Sequence, residues 1–125
     1  MVTKDIKTTV KEYFLQNPTA KLRIRQMERA LNAPLPSVIR YAKEFEKEDL
    51  LKTELIAGIK LYSANRTSSV FLLEKKLFNI KQVYSSGLVD HLIREVHNPA
   101  VILFGSFSKG EDIENSDVDL YLETP

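Results

Sequence analysis

Two short segments near the end of the chain contain the residues best suited to chemistry. Gly105-Ser106 directly follows the apolar run 100–104, and Asp117-Val118-Asp119 follows after ten intervening residues. A glycine leaving a strand lets the backbone approach a phosphate closely, and a helix beginning at Ser106 would direct free N–H groups toward it. Two aspartates at positions i and i+2 of a strand point to the same face and offer the oxygen ligands that divalent cations prefer. The spacing therefore predicts a site for a metal-bound phosphate.

The two segments, 103–110 (LFGSFSKG) and 116–120 (SDVDL), together resemble the signature of the minimal nucleotidyltransferases of the polymerase-β superfamily. That group includes prokaryotic antitoxin-type adenylyltransferases. The resemblance implies transfer of a nucleotidyl group from a nucleoside triphosphate, with Gly105, Ser106 and Lys109 on the triphosphate. It also implies that Asp117 and Asp119 are the catalytic carboxylates and bind Mg²⁺ or Mn²⁺. Lys109 stands where many relatives have arginine, so the charge is kept but the fork geometry is lost.

The resembling family also has a third carboxylate, which a later strand supplies and which acts as general base. Glu123 is the only acidic residue after Asp119. It lies four residues further along the predicted strand, about 13 Å away at ~3.3 Å per residue, too far to share the metal ions. We therefore expect a domain cut short, which binds nucleotide and metal loosely and does not catalyse transfer by itself.

The first half of the chain has the pattern of three helices followed by a hairpin. Apolar residues recur at helical spacing over 4–16, a short extended piece leads into a second helix that ends before Pro34, and a third helix runs over 36–49. Two β-prone runs then flank Ala57-Gly58, which is typical of a β-hairpin. This order of elements predicts a winged-helix domain.

The third predicted helix separates apolar from polar residues. Val38, Ala42 and Phe45 are spaced for burial on one side. The residues expected on the opposite face are Ser37, Arg40, Tyr41 and Glu44, with Lys43 and Lys47 beside them. Arginine, serine and tyrosine suit contacts with base edges and phosphates in a DNA groove. The residues that we expect to contact duplex DNA are Arg23, Arg25, Ser37, Arg40, Tyr41, Lys43, Lys47 and Lys60.

Segments 22–27, 37–41 and 45–51 are similar to the winged-helix domains of prokaryotic, especially archaeal, regulators. In such domains a glycine often precedes the wing. Here Asp49 occupies that position, and aspartate can adopt a positive φ at some cost. Docking of a protein by the same fold is the alternative to DNA binding.

Two further helices are predicted between these regions, at 67–84 and 88–97. In the first, Val70, Leu73, Leu77, Ile80 and Tyr84 follow alternating spacings of three and four. This broad stripe predicts either a homodimer contact, which would suit a palindromic DNA site, or packing against the hairpin.

Composition limits the remaining choices. The formal net charge of +1 combines a basic front, with twelve Lys and Arg against eight Asp and Glu in 1–64, and an acidic remainder, with six against nine. There is no apolar run of the roughly 20 residues that span a membrane, and no cysteine for a disulfide or thiolate metal site. The N-terminus lacks the apolar core of a signal peptide, so we expect a cytoplasmic protein.

These patterns together predict an α+β protein in three parts. They are a winged-helix domain at 1–64, a helical connector at 65–98 and the first β-α-β portion of a nucleotidyltransferase fold at 99–125. Two alternatives stay open. One is a transcriptional regulator with a non-catalytic nucleotidyltransferase-like remnant, and the other is an antitoxin-type adenylyltransferase with a toxin-type protein partner.

Overall fold

The computed structural model describes residues 5–96 and 99–123. In these ranges the chain is a mixed α+β structure of six helices and two small antiparallel sheets, which confirms the predicted class. It divides into two compact units, Met1–Phe71 and Leu72–Pro125. The division lies inside a helix, whereas the sequence patterns predict domain limits after residues 64 and 98.

The first unit contains three helices and a three-stranded sheet. Its elements are α1 (Ile6–Gln16), β1 (Lys21–Leu22), α2 (Ile24–Leu31), α3 (Leu35–Lys47), β2 (Leu51–Ile56) and β3 (Ile59–Ala64). The strand order is β1-β3-β2, and both pairs are antiparallel. The three predicted helices and the hairpin are therefore present. The predicted start of the first helix at Lys4 lies outside the described residues.

Local sequence explains where the first helices begin and end. Asp5 caps α1 by accepting a hydrogen bond from the backbone N–H of Thr8 at 2.7 Å. After α3, Asp49 adopts a φ of 66°, and the N–H of Leu50 donates to the carbonyl oxygen of Phe45 at 3.0 Å. This is a Schellman motif, in which the left-handed residue is usually glycine. The expectation that Asp49 adopts a positive φ is confirmed.

The hairpin turn has a left-handed backbone at both central residues. Ala57 has a φ of 52° and Gly58 a φ of 77°, between the paired residues Ile56 and Ile59. Positive φ at both positions defines the type I′ turn, whose twist matches that of the flanking strands. Alanine is an uncommon choice for the first position, because its Cβ is crowded there.

Apolar side chains from every helix of the first unit meet in its core. The predicted stripe of α3 is buried, since Val38, Ala42 and Phe45 are each at most 1% exposed. The other buried apolar residues described in this unit are Val10, Phe14, Leu15, Pro18, Met27, Leu50, Leu51, Tyr62, Ala64 and Phe71. The core fixes the rotation of α3 and thereby decides which residues face outward.

The second unit is built from two helices, a short third helix and a two-stranded sheet. Its elements are α4 (Ser69–Ser85, whose first residues belong to the first unit), α5 (Leu88–Glu95), β4 (Ala100–Phe104), α6 (Gly105–Lys109) and β5 (Asp119–Glu123). The predicted β-α-β order is present, with β4 and β5 antiparallel. The predicted end of the second connecting helix at His97, and residues 124–125, lie outside the described residues.

The prediction that both aspartates lie on a strand is wrong for Asp117. Strand β5 begins at Asp119, which pairs with Phe104, the last residue of β4. Because Gly105 already begins α6, β4 has no residue left to pair with Val118 or Asp117. Only Asp119 is therefore oriented by the sheet.

None of the helices in 5–96 and 99–123 combines the length and the apolar character needed to cross a membrane.

Candidate functional site

The exposed face of α3 is narrower and more basic than the residue spacing predicts. Arg40, Lys43 and Lys47 are exposed, at spacings of three and four that place them in one row. None of the three makes an ion pair within the described residues. Three other residues that were expected on this face, Ser37, Tyr41 and Glu44, are partly covered. These three cations, which have no ion-pair partner in the part of the chain that the structure describes, therefore form the outermost edge of α3, and the other polar residues flank it.

Glu44 forms an ion pair within the first unit. The Nζ atom of Lys7 on α1 donates to its Oε1 atom at 2.9 Å. This hydrogen bond holds the pKa of Glu44 below its ordinary value and raises that of Lys7. Glu44 therefore connects α3 to α1, although it was expected on the DNA-contacting face.

Arg40 and Tyr41 contact each other. The guanidinium carbon of Arg40 lies 5.3 Å from the centroid of the Tyr41 ring, within the range of a cation–π interaction. The ring supports one side of the guanidinium group, so less conformational freedom is lost when Arg40 binds an acceptor.

An open groove of about 380 Å³ brings together three of the predicted DNA-contacting residues. Arg25 comes from α2, Lys43 from α3 and Lys60 from β3, and all three are exposed. The other lining residues are Ile24, Leu35, Ile39 and Tyr62. The groove therefore has apolar walls and cations from three elements. Arg23, one residue before α2, is also exposed.

Lys60 is held beside α3 by its neighbours. Its Nζ atom lies 3.7 Å from Oε1 of Glu46 and 5.1 Å from the Tyr62 ring centroid. Contact with the Tyr62 side chain is the main cause of a raised pKa for Lys60, and Glu46 adds to it. Glu46 also accepts a hydrogen bond from Thr53 of β2 at 2.7 Å. The hairpin is thus attached to α3, and Lys60 keeps its positive charge.

The tip of the hairpin is apolar. Leu55 is 74% exposed, Ile56 49% and Ile59 44%. Such side chains do not suit contact with phosphates, so the tip is chemically distinct from the basic face of α3.

In the second unit the structure brings Gly105 and Asp119 together. Gly105 has a φ of 77°, and a Cβ atom at this position would overlap the carboxylate of Asp119. Glycine suits this position in two ways, since its backbone adopts the positive φ without strain and it leaves room for the Asp119 carboxylate where that carboxylate now lies. The two predicted segments are adjacent because Asp119 pairs with the residue just before Gly105.

The other predicted residues surround this contact less tightly. Ser106 is half-buried in the first turn of α6, Lys109 is exposed in its last turn, and Asp117 is exposed in the loop before β5. In 5–96 and 99–123 the side chains of Ser106, Asp117 and Asp119 make no hydrogen bond or ion pair. Asp117 and Asp119 provide carboxylate oxygens, which Mg²⁺ prefers. No group of three or more acidic, histidine or cysteine residues in the described ranges is arranged to hold a metal ion.

A buried polar cluster, which the sequence analysis missed, joins α4 to the segment that follows α6. Nζ of Lys75 donates to Asn79 at 3.0 Å and to Asp112 at 2.9 Å, and Nδ2 of Asn79 donates to Asp112 at 2.7 Å. Asn79 also donates to the carbonyl oxygen of Phe107 at 2.9 Å. The exposed fractions are 4% for Lys75, 2% for Asn79 and 7% for Asp112. The cluster therefore fixes α6, and with it the Gly105 turn, against α4.

Gly110 allows this close packing. A Cβ atom there would lie 2.7 Å from the carbonyl oxygen of Leu72 and 3.3 Å from the side chain of Lys75, and the φ of Gly110 is 73°.

The sequence gives a partial signal for the polar cluster, because Lys75 and Asn79 follow Phe71 at four-residue intervals. Polar residues inside an otherwise apolar stripe indicate such a buried network. The sequence around Asn79 does not reveal its partner, because Asp112 lies 33 residues further along the chain.

Comparison of this chain with protein-family models, with curated proteins and with solved structures gave no match. The functional assignment therefore depends on the geometry and chemistry of the chain's own residues.

Proposed function

We propose that the chain is a DNA-binding protein whose first unit is a winged helix. The observation that carries this proposal is the row of Arg40, Lys43 and Lys47 on the exposed face of α3, without ion-pair partners in the described residues. Arg25 and Lys60 extend the basic surface from neighbouring elements. Cations grouped on one helix and beside a hairpin are the electrostatic footprint of a duplex-binding surface.

In this proposal α3 is the recognition helix. Its outward edge would enter the major groove, where the guanidinium group of Arg40 can donate two hydrogen bonds to a guanine. Lys43 and Lys47 would neutralise phosphates on either side, and Arg25 and Lys60 would fix the orientation of the unit on the backbone. Ser37 and Tyr41, half-buried beside this edge, would add hydrogen bonds at its rim.

A titration of labelled duplex DNA with the full chain tests the proposal. We expect Arg40→Ala to weaken binding by about 1–3 kcal/mol if Arg40 reads a base. Arg94→Ala, which removes an equal charge from the exposed surface of α5, is the matched control and should have little effect. Equal losses from the two variants, or no binding to any duplex at low salt, would overturn the proposal.

A second candidate function is supported by the contact between Gly105 and Asp119. We propose that the second unit binds a nucleoside triphosphate together with Mg²⁺ in the manner of nucleotidyltransferases. The glycine turn leaves space beside a carboxylate that makes no other polar contact in the described ranges. A phosphate could approach the backbone of Gly105-Ser106, with Lys109 as a nearby positive charge.

Different residues of this site would contact the phosphate and the cation. The hydroxyl of Ser106 and the N–H groups of the turn would donate hydrogen bonds to phosphate oxygens. Asp119 and Asp117 would hold the cation, which when bound stabilises the charge that develops on the transferring phosphate. Because Asp119 is oriented by β5 and Asp117 lies in the preceding loop, Asp119 supplies the fixed ligand and Asp117 the adjustable one.

Binding of a fluorescent nucleoside triphosphate, with and without Mg²⁺, tests this second candidate. We expect Mg²⁺-dependent binding that Ser106→Ala weakens and Asp119→Asn abolishes. Asp90→Asn, an exposed aspartate on α5, is the control and should bind like the parent chain. Binding that is unchanged in Asp119→Asn, or independent of Mg²⁺, would exclude the proposed site.

The exposed hairpin tip supports the alternative in which the first unit docks a protein. Leu55, Ile56 and Ile59 offer an apolar contact that a protein partner such as a toxin could cover. If the tip docks protein only, Leu55→Ser will leave DNA affinity unchanged, whereas Arg40→Ala will reduce it.

A further inference from the structure

Helix α4 has two faces of different character, one buried and partly polar, the other apolar and exposed. The first is turned into the protein, since Phe71, Lys75, Asn79 and Val83 follow one another at four-residue intervals and are all at least nine-tenths buried. The second consists of Leu73, Leu77, Ile80 and Tyr84, which are 57%, 54%, 43% and 63% exposed. A helix on the surface of a single domain normally has one apolar stripe. The second stripe, here termed the α4 seam, therefore indicates a further partner.

The spacing of the α4 seam specifies the shape of that partner. Its residues are separated by four, three and four positions, the alternation of four and three by which a heptad repeat keeps one helix facing another along its length. A second helix with the same spacing fits such a seam. The chain offers one in another copy of α4.

We propose that two copies of the chain pair through the α4 seam in an antiparallel, two-fold symmetric dimer. Each helix has two flanks, which are the rows of residues on either side of the seam. In an antiparallel pair with a two-fold axis, each flank of one helix lies beside the same flank of the other. Leu73 would then pack against Tyr84 of the second copy, and Leu77 against Ile80. The four seam residues of each copy form four layers related by the axis.

The charges beside the seam select this direction. Glu74 and Lys81 lie on one flank, seven residues apart, and Lys76 lies on the other flank. The antiparallel arrangement places Lys81 opposite Glu74 of the second copy, twice by symmetry. A parallel arrangement would bring opposite flanks together and place Lys76 against Lys81 of the second copy. Opposite charges at these positions set partner direction, and like charges disfavour it.

The size of the seam predicts a weak dimer. Four roughly half-exposed side chains from each copy bury less than the roughly 1,200 Å² of a typical stable complex. We therefore expect association that depends on concentration, with a dissociation constant of about micromolar magnitude. The proposal is independent of nucleotide binding and of DNA binding.

Sedimentation equilibrium of the full chain over a wide concentration range tests the proposal. We expect a monomer–dimer equilibrium that Leu77→Glu abolishes. Ile93→Glu is the matched control, because Ile93 on α5 is 56% exposed and lies outside the seam. Circular dichroism of both variants verifies that the helices persist. A monomer at all concentrations, or equal loss of association in the two variants, would overturn the proposal.

A charge exchange tests the direction of the pair. Lys81→Glu should weaken association by roughly tenfold, because it places two carboxylates opposite each other at two symmetric positions. The double variant Glu74→Lys with Lys81→Glu should restore the parent affinity. Tighter association of Lys81→Glu alone would mean that Lys76 faces residue 81 of the second copy, and would contradict the antiparallel arrangement.

Discussion

The two units of the chain differ in what occupies their centres. The described part of the first unit buries Pro18 and twelve other apolar side chains, from its helices, sheet and connecting turns and the first turn of α4, whereas that of the second buries only Val83 and Phe107. The second unit has instead the buried cluster of Lys75, Asn79 and Asp112. The first unit is thus held by non-directional burial, and the second by hydrogen bonds whose geometry fixes one arrangement.

The largest expected effect is the removal of one member of the polar cluster. Lys75→Met leaves Asp112 buried without its cation, and such changes typically cost about 3–5 kcal/mol. Amide hydrogen exchange followed by mass spectrometry should show protection lost in 72–123 and kept in 5–71. Protection lost equally in both units would contradict the separation of their two kinds of core.

The two glycines of the second unit should respond differently to the same substitution. In Gly105→Ala the new methyl group meets the end of the Asp119 side chain, which can rotate away. In Gly110→Ala it meets the carbonyl oxygen of Leu72, which is part of the α4 backbone and cannot. Both changes carry the roughly 1–2 kcal/mol cost of a left-handed backbone.

We therefore expect Gly110→Ala to lower the free energy of unfolding more than Gly105→Ala does. The difference should be about 1–3 kcal/mol, which is the typical cost of overpacking. Denaturant unfolding measures this difference. Gly105→Ala should instead lose Mg²⁺-dependent nucleotide binding, since Asp119 is displaced. Retained binding in Gly105→Ala would show that the position of Asp119 is not critical.

The difference between the units also explains what the sequence could predict. The helices, the hairpin and the buried face of α3 follow from apolar periodicity and turn residues, so they were predictable. The start of β5 was not, because it depends on where β4 gives way to α6. The spacing of Glu44 predicts a position on the DNA-contacting face, but spacing cannot reveal that Glu44 forms an ion pair with Lys7 of another helix.

A smaller effect is expected at the hairpin turn of the first unit. Asparagine adopts the left-handed conformation more readily than alanine, so Ala57→Asn should stabilise the first unit by about 0.5–1 kcal/mol. Thermal unfolding of the variant measures the gain. Ala57→Val, which adds a β-branched side chain at the same φ of 52°, should have the opposite sign. A destabilised Ala57→Asn variant would argue against the type I′ turn.

The smallest expected effect is the loss of the stability contributed by the Lys7–Glu44 ion pair at acidic pH. The pKa of Glu44 is lowered from its ordinary 4.5, so the carboxylate stabilises the folded state above that pH. This contribution is lost as the pH falls through the lowered pKa of the folded state. Comparing the pH dependence of unfolding in the parent chain and in Lys7→Met isolates it. Identical acid profiles for the two proteins would mean that the pair contributes nothing.

The central claim, that the α3 face of the first unit binds DNA through its cations, is tested most directly by the salt dependence of duplex affinity. Each phosphate contact contributes about −0.9 to the slope of log affinity against log salt concentration. Replacing Lys43 and Lys47 by alanine together should make the slope shallower by about 1.8, if each lysine neutralises one phosphate. Asp119→Asn, which alters only the second unit, should leave the slope unchanged. A double lysine variant with the parent slope would contradict the claim.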